Sequence, residues 1–179
     1  SGSQQNFHSI AKIAGTKNAS IQVGGGIRDL ETAQNLMNIG TSRLVLGTTA
    51  IENPKFVELL IKHFTPDAIV VALDIRGRNM ATRGWKQDSQ TSFTDLVDQM
   101  ANIGVNRFIL TDIHRDGTLT EPNYATLEEL VSHTRANVIA SGGISSIKQL
   151  SYLSNIGVEG AIIGKALYTG AINLRKAIQ

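Results

Sequence analysis

The sequence predicts an α/β fold in which buried parallel strands alternate with covering helices, and three observations carry that prediction. Six short runs rich in Val, Ile and Leu recur along the chain, segments of helical period separate them, and one stretch resembles another 117 positions further on. The 179 residues are 41% hydrophobic and 18% charged, the composition of one folded domain rather than of a disordered or fibrous chain.

Strands are expected at Ile21–Val23, Arg43–Leu46, Ala68–Leu73, Arg107–Thr111, Asn137–Ala140 and Gly160–Ile163. Several of these runs are continuously apolar rather than alternating, as in strands covered on both faces by helices. Helices are expected at Leu30–Ile39, Pro54–His63, Thr94–Ile103, Ala125–Thr134 and Ile147–Asn155, where apolar residues recur at helical spacing. The span Arg76–Ser92 directly follows a strand and reads as a long irregular loop, a candidate lid.

The internal similarity lays Gly24–Ala50 over Ser141–Leu167 with eight identities in 27 positions, against roughly two expected from composition. Each copy reads strand, glycine turn, helix, strand, glycine turn. Two further strands lie between the copies, and their counterparts 117 places earlier would precede residue 1. An eight-stranded closed barrel of βα units needs all eight strands and runs to roughly 250 residues. The expectation is therefore a (β/α)8 TIM barrel with half-barrel duplication, represented by strands three to eight, without its first two strands and first helix. Residues 1–179 would form a single incomplete barrel domain, with open sheet edges that favour self-association.

Composition narrows the function. Lys plus Arg number 17 against 15 Asp plus Glu, with no basic run interleaved with aromatics, so nucleic acid is not an expected partner. The longest nearly apolar stretch, Ala68–Ile75, is interrupted by Asp74 and is too short to span a membrane. The absence of cysteine excludes disulfides, thiolate metal sites and a Cys nucleophile, and it suits a reducing cytoplasm. His63 and His133 fall in helical segments on expected solvated faces, and His8 lies ahead of the first clear helix. None has metal-ligand spacing, so no metal site is expected.

The chemistry gathers at strand ends. Gly24-Gly25-Gly26 and Gly142-Gly143 each follow a strand and precede a helix, where bare N–H groups can face an anion. Gly47-Thr48-Thr49 and Gly164-Lys165-Ala166 supply a second set of donors beside each, which predicts two phosphate cradles at one barrel mouth. Asp74 ends the run AIVVALD, where barrel enzymes keep their chemistry; it serves there as a catalytic carboxylate or as the partner of Arg76 or Arg83. Asp112 ends the next strand and either supports that role or anchors the loop after it. Trp85, the single tryptophan, caps an apolar patch or stacks on a flat heteroaromatic ligand.

The segments VGGGIRDLETAQ, LGTTAIENP, ALDIRGRNMATRGWKQDS, LTDIHRDGTLTEPN, ASGGISS and IIGKALYTG, in that order along nearly the whole chain, resemble the phosphoribosylformimino-5-aminoimidazole carboxamide ribotide isomerases of histidine biosynthesis. The family's cyclase relatives share the glycine motifs, but TRGWKQDS and GKALYTG are closer to the isomerases. The resemblance implies a duplicated (β/α)8 barrel performing an aminoaldose–ketose (Amadori) rearrangement on a bis-phosphorylated, nucleotide-like small molecule, without a cofactor. By position it makes Asp74 the general acid and Thr111 an assisting residue, and it stacks Trp85 on the substrate's imidazole. Gly26, Gly47 and Thr48 would hold one phosphate and Gly143, Gly164 and Lys165 the other, with Arg28 and Arg83 near the substrate. The family's general base would lie on a strand before Ser1, and Ser1-Gly2-Ser3 resembles the loop after the second strand. Two alternatives stay open: an isomerase that also accepts phosphoribosyl anthranilate, and an inactive barrel fragment or assembly module.

Overall fold

The structure, a computed structural model, describes residues 6–16 and 19–178; Ser1-Gly2-Ser3 lies outside the described residues. Six strands form one parallel sheet: β1 (Gln22–Gly24), β2 (Arg43–Leu46), β3 (Ile69–Arg76), β6 (Arg107–Asp112), β7 (Asn137–Ser141) and β8 (Gly160–Ile162), in that spatial order. Every run expected from the sequence is a strand, with ends shifted by a few residues. The order follows the chain, and each parallel step carries a helix. These are α2 (Leu30–Asn38) after β1, α3 (Thr48–Glu52) and α4 (Pro54–His63) after β2, α5 (Phe93–Asn102) after β3, α6 (Tyr124–His133) after β6 and α7 (Ile147–Asn155) after β7.

Capping residues start the long helices. The side chains of Asp29, Asn53, Ser92, Asn123 and Ser146 accept from the backbone N–H three residues on, and Ser146 forms a reciprocal capping box with Gln149. Each helix then lays an apolar stripe on the outer face of the sheet, where Leu36, Leu60, Leu96, Met100, Leu130 and Leu153 meet Leu44, Val71, Leu73, Phe108 and Leu110 in one core. The inner face has its own small cluster, Val45, Val70, Ile109 and Ile139. Side chains alternate between the faces with period two, which explains why β6 is buried along its whole length.

The sheet curls into an open half-barrel. Gln22 and Arg43 on one side and Ile139 and Gly160–Ile162 on the other line a common cleft of about 290 Å³. Among the described residues β1 pairs only with β2 and β8 only with β7, so both outer strands present a free edge. They are also the shortest and most exposed strands of the parallel set.

Two expectations need correction. The span Arg76–Ser92 is not an irregular loop: β4 (Asn79–Thr82) pairs antiparallel with the end of β3, and β5 (Gln87–Ser92) pairs antiparallel with β4. The second arm, QDSQTS, has no apolar residue, so no apolar alternation marked it as a strand. His8 does not precede the first helix but lies within α1 (Phe7–Ala14), whose Phe7 and Ile10 pack against the core. The short helices α3, α8 (Lys165–Tyr168) and α9 (Leu174–Ala177) have four or five residues, too few to leave a periodic trace in sequence.

The two similar stretches adopt matching backbones. Gly25 and Gly142 have φ of +102° and +93°, Gly26 and Gly143 +74° and +80°, and Gly40 and Gly157 +98° and +92°. Gly47 and Gly164 share a further conformation, φ/ψ −101°/−98° and −94°/−100°.

Candidate active site

Because the six strands are parallel, all their carboxyl ends lie on one side of the sheet, and every strand-end residue singled out above is there. In register, Asp74 on β3 stands directly beside Thr111 on β6, and Thr111 beside Ser141 on β7. On one flank lie the turns after β1 and β2, bearing Gly26, Arg28, Gly47 and Thr48. On the other lie those after β7 and β8, bearing Gly143, Gly164 and Lys165. A carboxylate and a threonine therefore sit midway between two pairs of glycine turns.

Strand parity decides which side chains face the curl. Asp74 lies four residues beyond Val70, and Thr111 and Ser141 two beyond Ile109 and Ile139, so all three continue the inner layer. Asp112 has the opposite parity. It is 8% exposed and accepts from Asn123 Nδ2 at 2.7 Å and from the His114 N–H at 3.0 Å, with Arg115 Nε at 3.7 Å. Of the two roles open for it, the structure shows the anchor of the following loop. The run RFILTD is buried on both faces, so its sequence carries no signal of which residues face inward; the register of β6 against β3 separates the two aspartates.

The first pair of turns is tied together. Thr49 Oγ1 donates to the Ile27 carbonyl at 2.9 Å, bringing the start of α3 against the triple-glycine turn. In the second pair, Lys165 Nζ donates to the Gly117 carbonyl at 3.0 Å, linking the β8 turn to the loop after β6. Gly143 is fixed by close approach as well as by its φ: a Cβ there would overlap the Glu121 carbonyl. Arg28 is exposed at the rim.

The β4–β5 hairpin leans over this end of the sheet. At its tip Arg83, Gly84 and Trp85 all take positive φ, +54°, +65° and +68°. Trp85 Nε1 donates to Asp74 Oδ2 at 2.9 Å, while Arg83 Nε donates to Glu52 Oε1 at 3.2 Å. Arg83 is thus paired with Glu52, a residue the sequence reading did not single out. Arg76 Nη2 donates to the Trp85 carbonyl at 3.0 Å and braces the same tip.

The fold is α/β, its parallel strands curled into a half-barrel with glycine turns at the strand ends. The family model for histidine biosynthesis proteins matches residues 1–173. Three relatives bear the name 1-(5-phosphoribosyl)-5-((5-phosphoribosylamino)methylideneamino) imidazole-4-carboxamide isomerase. The protein of Dehalococcoides mccartyi is 44% identical over 178 residues, covering 99% of this chain and 75% of the relative. That of Crocosphaera subtropica is 46% identical over 180 residues, covering 99% and 70%. That of Microcystis aeruginosa is 47% identical over 180 residues, covering 99% and 71%. The chain belongs to the histidine biosynthesis protein family.

Proposed function

We propose that the chain is an aldose–ketose isomerase of histidine biosynthesis acting on the bis-phosphorylated substrate implied by its relatives' names, and that residues 1–179 form most of one (β/α)8 barrel. The observation that carries this reading is the order along one edge of the sheet: glycine turns, Asp74, Thr111, glycine turns. In this reading the N–H groups around Gly26, Gly47 and Thr48 hold one phosphate, and those around Gly143, Gly164 and Lys165 hold the other. Anchoring both ends orients the ribose between them without touching the reacting atoms.

Asp74 then gives its proton to the ribose ring oxygen, the C1–O bond opens and a Schiff base forms. Loss of the C2 proton to a second carboxylate, which family resemblance puts on a strand earlier than those of this chain, gives the enaminol that becomes the ketose. Thr111 supports the site beside Asp74, Arg28 and Arg83 lie near the substrate, and Trp85 stacks on its imidazole. No cofactor enters this chemistry. The matched φ values at Gly25/Gly142, Gly26/Gly143 and Gly40/Gly157 support a duplicated half-barrel. The free edges of β1 and β8 support self-association of the chain. A cysteine-free sequence, with no helix among the described residues long and apolar enough to cross a membrane, supports work in the cytoplasm.

Calorimetric binding of the bis-phosphorylated substrate tests the reading. Removing either phosphate is expected to weaken binding by about 10-fold or more, since each forfeits charge-assisted bonds to backbone donors. Equal affinity for a ligand lacking both phosphates would sink it.

A further inference from the structure

The amino-terminal end of the half-barrel, opposite the candidate site, holds a second group of charges. Arg43 at the start of β2 and Arg107 at the start of β6 each lie two residues before a member of the inner cluster, Val45 and Ile109, so both side chains face the bore. Glu159 stands just before β8. Arg107 reaches it past β7, Nε donating to Oε2 at 2.7 Å and Nη2 to Oε1 at 2.8 Å, with the Arg107 side chain only 7% exposed. Arg43 and Glu159 line the same cleft from opposite sides of the open sheet, and Arg43 Nη1 donates to Gln22 Oε1 at 3.5 Å. The bonds from Arg107 hold the Glu159 carboxyl below its ordinary value; the charge of Arg43 adds to them and that of Asp67 opposes them.

Backbone bonds join only neighbouring strands, and the angle at each junction varies by roughly 10° about its mean. A contact between strands two apart, as β6 and β8 are, restrains two junctions at once. Attraction between β2 and β8 acts on all the junctions from β2–β3 through β3–β6 and β6–β7 to β7–β8. Among the described residues no backbone ladder joins β1 to β8, so nothing in the sheet's own hydrogen bonding closes the curve. A buried ion pair adds little net stability over apolar packing, and its best-attested use is to fix an arrangement.

The same strands carry the candidate site at their other ends, where Gly47 directly follows β2 and Gly164 lies just beyond β8. We infer that Glu159 is an electrostatic latch: bonded to Arg107 past β7 and attracted by Arg43 across the bore, its carboxylate sets how far the sheet curls and hence the separation of the two pairs of glycine turns. The latch stands on the amino-terminal ends of the strands and needs no ligand at the other.

The cysteine-free chain allows that separation to be measured directly. Glu31→Cys on α2 and Tyr168→Cys on α8, both exposed, take nitroxide labels on either side of the open edge, and double electron–electron resonance gives their distance. Dilution with unlabelled chain restricts the signal to pairs within one molecule. Without further substitution one narrow distance is expected. Arg43→Met leaves the Arg107–Glu159 bonds in place and is expected to broaden the distribution and move its centre outward by about 5 Å, one strand spacing. Arg43→Lys keeps the charge and the original distance. About 1 M salt, with its screening length of ~3 Å, should act on the labelled chain as Arg43→Met does and leave that variant unchanged. A distance indifferent both to Arg43→Met and to salt would assign the curl to packing and overturn the latch. A broad distribution before any substitution at Arg43 would overturn it as well.

Discussion

Trp85 Nε1 donates to Asp74 Oδ2 at 2.9 Å, so the single tryptophan reaches from the hairpin tip onto an inward-facing carboxylate that stands between the two pairs of glycine turns. Trp85 is 39% exposed, a large ring hydrogen-bonded to an inward-facing side chain. A ring in that position is poised to exchange its aspartate for a flat ligand.

Substitution of the pair separates proton transfer from binding. In protein that turns over, Asp74→Asn keeps the shape and the contact to Trp85 but gives up the transferable proton. Turnover is expected to fall by about 10² to 10⁴ with substrate affinity little changed. Trp85→Ala is expected to act mainly on KM, raising it about 10-fold through lost stacking, with Trp85→Phe in between. Steady-state kinetics on the three variants decide, and near-normal turnover of Asp74→Asn would remove it from the acid role.

Two glycines with left-handed backbones distinguish conformational strain from close approach. Gly84, at φ +65°, has open space where a Cβ would go, whereas at Gly143, φ +80°, a Cβ would run into the Glu121 carbonyl. Gly84→Ala is expected to cost about 1 kcal/mol of stability, the ordinary cost of placing a side chain in that region. Gly143→Ala should cost at least about 3 kcal/mol, because the loop after β6 must also move. Urea unfolding midpoints of the two variants give the comparison, and equal losses would contradict the geometry.

At the opposite, amino-terminal end of the strands, Arg107 is 6% exposed and donates to both carboxylate oxygens of Glu159, at 2.7 and 2.8 Å. The hydrogen bonds from Arg107 hold the Glu159 carboxyl below its usual value of 4.5. Its folded value lies under its unfolded one, so the pair's contribution is present above the unfolded value and is lost as pH falls through the folded one. Glu159→Gln is expected to destabilise the chain by about 3 kcal/mol near neutrality, the low end for breaking a buried pair because Glu159 itself is partly exposed. The gap from wild type should narrow below about pH 4. A constant gap across an acid titration of thermal stability would rule the ion pair out as its source.

Among the described residues, β1 and β8 each keep one edge without a strand partner. Size-exclusion chromatography over a range of concentrations should therefore show the 179-residue chain shifting toward larger species as concentration rises. A compact monomer at every concentration would count against this edge pairing.

What the sequence determined by itself is whatever depends on local pattern. Continuous apolar runs placed the six parallel strands, helical spacing placed the five longer helices that cover the sheet, and the glycine turns marked the strand ends. The polar arm Gln87–Ser92 and the single-turn helices after Gly47 and Gly164 leave no periodic trace and escaped it; the helix around His8 escaped it as well, although Phe7, Ile10, Ala11 and Ala14 recur at helical spacing. Only the tertiary structure decided the partners. Asp74 meets Trp85 rather than Arg83, Arg83 meets Glu52 and Thr48, and Asp112 turns outward to Asn123. The reason is physical: pattern along a chain fixes which face a residue takes, while the contact across a turn or between strands depends on how separate elements come to rest in space.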